Sequence, residues 1–260
     1  EIKGIFDSVS VDPLGSVIAV KKANPKTGKA KKSPTKIMLA AHMDQIGFLV
    51  SHIDDKGFLY LNPVGGFDTR NLFARAVTIC PDPNDPKKDI TGIMNPGGKP
   101  VHVAPPEERK KVPLVREFIV DTGLKVEEVK KKTKIGDMVV INAPVYYVGD
   151  HMVSQAMDNR VACWIAIEAC RKLKNHDCEV HCVFTVQEEV GLRGAVASSY
   201  TVKRDIAVGI DVTLAIDTPG VPAQDACSKL GEGAAITVMD GSASGDDDLV
   251  EAFEKTAKQK

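Results

Sequence analysis

The segment from His181 to Gly191 constrains this chain more than any other. An apolar run, His181-Cys182-Val183-Phe184-Thr185-Val186, reads as a strand and ends in Gln187-Glu188-Glu189-Val190-Gly191. Neighbouring side chains on an extended segment point in opposite directions. One carboxylate can then hold a metal while the other faces a bound water as general base. Adjacent glutamates more often lie on a solvated face, because charge is seldom buried. Here they stop a strand just before a glycine, where open α/β sheets build their sites.

Three further segments carry a histidine or an acid beside an apolar run. Ile37-Met38-Leu39-Ala40-Ala41 leads into His42-Met43-Asp44. An imidazole binds zinc or cobalt, and a carboxylate two residues on can orient it, although a lone His-x-Asp is commonly structural. Met157-Asp158-Asn159-Arg160 opens a stretch in which Val161, Trp164, Ile165 and Ala169 suit one helix face. Asp158 reads either as an N-cap or as a carboxylate bridging two metals. Ile206-Ala207-Val208-Gly209-Ile210 ends in Asp211, a turn former or a ligand. Four such termini are better explained by one shared site than by four separate structural roles. A glycosidase reading of Glu188 and Glu189 fails on geometry, since its carboxylates must face one cleft about 5–9.5 Å apart.

Punctuation sets the organisation. Residues 1–47 read as a strand from Val11 to Val20 interrupted by Pro13 and Gly15, a basic loop, and the strand ending at His42. Between residues 48 and 148, short apolar segments alternate with Asp54-Asp55-Lys56-Gly57, Asn62-Pro63, Gly65-Gly66 and Asn95-Pro96-Gly97-Gly98. That spacing predicts a small β-barrel. Pro105 to Lys111 reads as a loop and Lys125 to Lys131 as a short amphipathic helix, followed by a strand from Met138 to Ile141. From residue 149 to 260, helix (Asp158–Leu173), strand (Glu179–Val186), helix (Gly194–Tyr200) and strand (Ile206–Thr213) alternate, which is the βαβ pattern. The β-rich part therefore interrupts one catalytic α/β unit, and the fold class is α/β: a mixed, mostly parallel sheet flanked by helices with an inserted small β-barrel.

The matching pieces resemble the M42 family of metallo-aminopeptidases, the group of glutamyl aminopeptidases and tetrahedral (TET) peptidases. They are Ala41 to Phe48, Pro105 to Lys111, Met157 to Arg160, Gln187 to Ala195, Gly209 to Thr213, Asp217-Thr218-Pro219-Gly220 and Lys229 to Gly233, in the family's order. The resemblance implies a zinc-peptidase-like fold and a dinuclear enzyme that hydrolyses N-terminal residues from short peptides. It implies that His42 and Asp211 bind one divalent ion, Glu189 the other, and that Asp158 bridges them. Glu188 would be the general base and Asp44 would orient His42. Two ions per subunit, zinc or cobalt, are implied, and both metals suit these ligands. The inserted barrel would serve dimerisation and assembly into a homo-oligomer, dimer-based and up to a dodecamer.

Against the family pattern the chain reads as shortened at both ends. It stops at Lys260, and no remaining histidine stands in the context of the family's last His ligand, so the second metal site is expected to be incomplete. The alternative function is therefore a degenerate or truncated, non-catalytic member acting in assembly or binding.

Composition narrows the partners. A net charge of −1 with 27% charged residues implies no nucleic-acid or anionic-membrane partner. Six cysteines without CxxC spacing, three of them (Cys163, Cys170 and Cys182) in apolar runs, read as core residues rather than as a metal set. With no 18-residue apolar stretch and no signal sequence, the chain is expected to be cytoplasmic.

Overall fold

The computed structural model describes residues 2–29, 31–100 and 102–259; Glu1, Ala30, Val101 and Lys260 lie outside it. The chain forms two compact units, residues 1–211 and 212–260.

The first unit opens with β1 (Ser8–Val11) and β2 (Val17–Lys21), an antiparallel hairpin. The interruption expected at Pro13 and Gly15 separates the two strands, β1 ending at Val11 and β2 beginning at Val17. The reason is chemical: Asp12 accepts the backbone N–H groups of Leu14, Gly15 and Ser16, each at 2.9 Å, and so closes a turn around Pro13 and Gly15. β3 (Lys36–His42) follows the basic loop and ends at the expected residue.

Six strands then close into an antiparallel barrel. They are β4 (Gly47–Ile53), β5 (Leu59–Val64), β6 (Arg75–Cys80), β7 (Ile90–Pro96), β8 (Phe118–Asp121) and β9 (Met138–Ile141), in the order β4-β5-β8-β7-β6-β9. Its core is built from Phe48, Val50, Leu59, Leu61, Leu72, Val77, Ile79, Met94, Phe118, Val120, Val129 and Val139, all at most 1% exposed. That seal is what lets so small a barrel hold together. Pro106–Arg109 forms one helical turn, α1, where a loop was expected, because Pro106 stands at its first position and Glu107 and Glu108 fill its first turn. α2 (Val126–Lys132) carries acids first and lysines last and buries Val129 in the barrel. The hairpin of β10 (Tyr146–Val148) and β11 (His151–Val153) stands outside the barrel as a separate two-stranded sheet.

α3 (Met157–Lys172), β12 (Glu179–Thr185), α4 (Arg193–Val202) and β13 (Ile206–Gly209) complete the unit. The sheet order is β1-β2-β12-β3-β13, with β12, β3 and β13 parallel and β2 antiparallel to β12. The outcome is a mixed sheet, with α3 packing on β3 and β12 and α4 on β12. β12 is the central strand, and its last six residues are buried, as an apolar run without alternation requires. Val180, Cys182 and Phe184 share one cluster with Ala166 and Cys170 of α3, while Val183 packs with Ile18, Met38 and Val202.

The face of α3 differs from the expected one. Ala162, Ala166 and Cys170 are buried, whereas Trp164, Ile165 and Ala169 are exposed. Small residues four apart let the helix backbone approach the sheet closely; a stripe with Trp164 facing inward would hold it away. Cys170 and Cys182 are buried thiols with sulfurs 3.4 Å apart, and Cys163 is partly buried, in keeping with core roles.

In the second unit, α5 (Asp247–Ala257) is capped by the Asp246 carboxylate, which accepts the Leu249 N–H at 3.1 Å. Among the described residues, no helix is long and apolar enough to cross a membrane.

Candidate active site

Parallel strands bring their ends to one edge of the sheet. Thr185 on β12 is in register with His42 on β3, and Gly209 on β13 is in register with Ala40. The residues just past β12 and β13, Glu188, Glu189 and Asp211, therefore arrive beside His42. Backbone bonds continue the match: Met43 N–H donates to Thr185 O at 2.9 Å, and Ile210 N–H to Ala40 O at 2.8 Å. Gln187 takes a left-handed φ of 58°, which turns the chain as it leaves the strand.

Asp158 comes from the start of α3. Its carboxylate lies 2.9 Å from His42 Nε2, and both Asp158 (φ −80°, ψ 103°) and Asn159 (φ −128°, ψ 33°) are non-helical, so the regular helix begins after them. Asn159 is 1% exposed, and its side-chain amide donates to Ile210 O at 2.9 Å. One buried side chain thus links the segment bearing Asp158 to the segment bearing Asp211.

His42, with its side chain 2% exposed, is the centre of the arrangement. Its Nε2 lies 2.9 Å from Asp158 Oδ1, 3.8 Å from Glu188 Oε2 and 3.9 Å from Asp211 Oδ1. Two groups of potential ligand atoms each fall within 4.8 Å: His42 with Asp158 and Asp211, and His42 with Glu188 and Glu189. All six residues singled out in the sequence come together at this edge.

The role of Asp44 is wider than its spacing from His42 suggests. His42 Nδ1 faces the backbone carbonyl of Asp44 at 3.1 Å and the Asp44 carboxylate at 3.5 Å. The carboxylate meanwhile accepts the backbone N–H of Glu188 at 3.1 Å and that of Glu189 at 3.3 Å. No local pattern announces this, because the partners are separated by more than 140 residues of chain.

A carbonyl facing Nδ1 requires a proton there, which leaves Nε2 to face the carboxylates. Burial lowers the His42 pKa, but Glu188, Asp211, Asp158 and Asp44 outweigh it and hold it above the usual value. Burial raises the Glu188 carboxyl; His42 opposes that rise, and Asp211, Asp44 and Asp158 add to it. Glu189 is also raised, by burial and then by Asp158. So many acids about one imidazole repel each other unless positive charge joins them. Imidazole and carboxylate donors converging in this way fit a divalent transition ion.

The sequence profile of M42 glutamyl aminopeptidases matches residues 15–260. The chain belongs to the M42 family. A protein of Acetivibrio thermocellus, provisionally named an aminopeptidase, is 38% identical over 259 residues, which is 100% of this chain and 71% of that protein. An aminopeptidase from the archaeon Desulfurococcus kamchatkensis shares the fold at a TM-score of 0.87 and 35% identity, over 99% of this M42 chain and 69% of that one. The TET1 peptidase of Pyrococcus horikoshii, which can assemble into a tetrahedron or a large octahedral shell, superposes at 0.80 with 26% identity, over 99% of this chain and 73% of that one. The chain spans 71% of the length of the Acetivibrio thermocellus relative and 54% of that of another curated relative, from Escherichia coli.

Proposed function

We propose that this M42 chain carries the site of a dinuclear metal-dependent aminopeptidase that removes N-terminal residues from short peptides. The observation that carries the reading is the convergence of five potential donors at one sheet edge, with His42 in reach of Asp158 and Asp211 on one side and of Glu188 and Glu189 on the other. His42 and Asp211 would hold one ion, Glu189 the other, and Asp158 both. Zinc and cobalt both suit these donor types. Bound ions would supply Lewis-acid polarisation of the scissile carbonyl and acidify a water.

The chain's own residues would position these groups and move the proton. Asp44 accepts from the Glu188 and Glu189 backbones and takes part in orienting His42. Glu188, partly buried and raised in pKa, would take a proton from the attacking water at a carboxylate oxygen. It would then return that proton to the leaving amine, so one group serves as base and then as acid.

We extend to this chain a homo-oligomeric state built on the barrel. Supporting it, the barrel interrupts the catalytic unit and contributes none of the six site residues, and Leu49, Ile93 and Met138 on its strands are exposed. The cytoplasm is the compartment this reading favours.

The test uses aminoacyl reporter substrates with metal-free protein. Turnover should be absent, and should return on addition of zinc or cobalt. Undiminished turnover in excess chelator would overturn the proposal.

A further inference from the structure

The barrel reaches the site at Gly65. Gly65 follows β5, and its backbone lies against Ile46 and Glu189. A methyl group placed on Gly65 would stand 2.6 Å from Ile46 Cγ2 and 3.3 Å from Glu189 Cβ. The first distance is an overlap and the second is tight. Gly65 also has φ +89°, a conformation that glycine adopts freely and L side chains rarely do. Gly66, next in sequence, is different: a methyl group there would meet nothing within 4 Å.

We propose that Gly65 is a positioning residue for Glu189. Its bare Cα lets the barrel loop press on the stem of Glu189 from one side, while Asp44 holds the Glu189 backbone N–H. The carboxylate is fixed between a strand end and an inserted barrel. Ligands work when their own rotamers are locked by neighbours in this way. The inference rests on Glu189 being a metal ligand. It adds that the barrel, besides any role in assembly, tunes the ion that Glu189 holds.

The test is titration of Co2+ alone into the metal-free protein, followed by calorimetry and by the visible absorption of the bound ion. Glu189→Ala first identifies which binding event belongs to Glu189. Gly65→Ala should weaken that event by about 10–100-fold and alter its spectrum. Gly66→Ala should leave both unchanged. Combined with Glu189→Ala, the Gly65 substitution should add nothing further to metal loss. An unchanged isotherm and spectrum for Gly65→Ala would overturn the proposal. If Glu189→Ala itself loses no Co2+, the ligand assignment fails and the Gly65 proposal falls with it, a result distinct from failure of Gly65 alone. Should Gly65→Ala not fold, Ile46→Ala takes its place, since it withdraws the opposing side chain without straining the backbone. It should weaken the same event, and unaltered Co2+ binding there would equally overturn the proposal.

Discussion

The carboxylate of Asp44 receives the backbone N–H of Glu188 at 3.1 Å, joining the end of β3 to the segment beyond β12. Its other oxygen receives Glu189 N–H at 3.3 Å. A single acid therefore fixes the backbone of both glutamates, while its own carbonyl faces the ring of His42. Asp44→Asn keeps the size but turns one oxygen into a donor facing an N–H. Its kcat/KM should fall by about 10–100-fold, as for other partners that orient ligands. Steady-state kinetics with circular dichroism as a fold control would check this; wild-type kinetics would refute the coupling.

Glu188 and Glu189 should respond differently to the same change. Glu188→Gln removes the base while keeping its shape, so activity should drop by about 10²–10⁴-fold with metal content little changed. Glu189→Gln should cost metal as well as rate. Elemental analysis of both variants decides it, and equal metal loss would reverse or cancel the assignment.

Gly194 opens α4 directly behind the site strand. A methyl group there would fall 2.2 Å from Val186 O and 2.7 Å from Val186 N, both backbone atoms that cannot move aside alone. Gly194→Ala should destabilise the fold by about 1–3 kcal/mol or more, as overpacking does. Activity should fall too, because Val186 directly precedes Gln187 and the two glutamates. Chemical denaturation supplies the first measurement; an unchanged midpoint would contradict the close contact.

Asp12 gives a pH dependence of stability from a residue outside the six site residues. Its carboxylate accepts the Ser198 hydroxyl at 2.8 Å as well as the three N–H groups of its own turn. Burial pushes its pKa up, but the Ser198 hydroxyl and the turn N–H groups outweigh that and hold it below the usual value. A depressed native pKa gives stability that is complete above the unfolded value, about 4, and is lost as pH falls through the native one. Asp12→Ala should cost about 1 kcal/mol near neutrality, at the modest end for a partly exposed group. Urea midpoints of wild type and variant should converge between pH 7 and about pH 3; a gap that widens in acid would refute the sign.

Much of the site was legible from local pattern. His42, Asp158, Glu188, Glu189 and Asp211 each stand next to an apolar run, and such runs reveal where strands and helices end. The barrel was legible for a related reason: turn residues at short intervals leave only short strands. Apolar spacing alone does not reveal the buried face of α3, because a second set of small residues four apart runs along the same helix. Trp164 and Ile165 point outward, while Ala162, Ala166 and Cys170 meet the sheet.

By itself the sequence determined the elements, their order and the residue types at their ends, since propensity, periodicity and turn chemistry act over a few residues. Only the tertiary structure decided which ends meet. Placing β12 between β2 and β3 sets Thr185 level with His42 and brings Asp44 to the Glu188 and Glu189 amides. It also decided that Gly65, in the loop that follows β5, would lie beside Glu189. Strand order and close packing are set by burying the whole apolar surface at once, and no window of neighbouring residues contains that information.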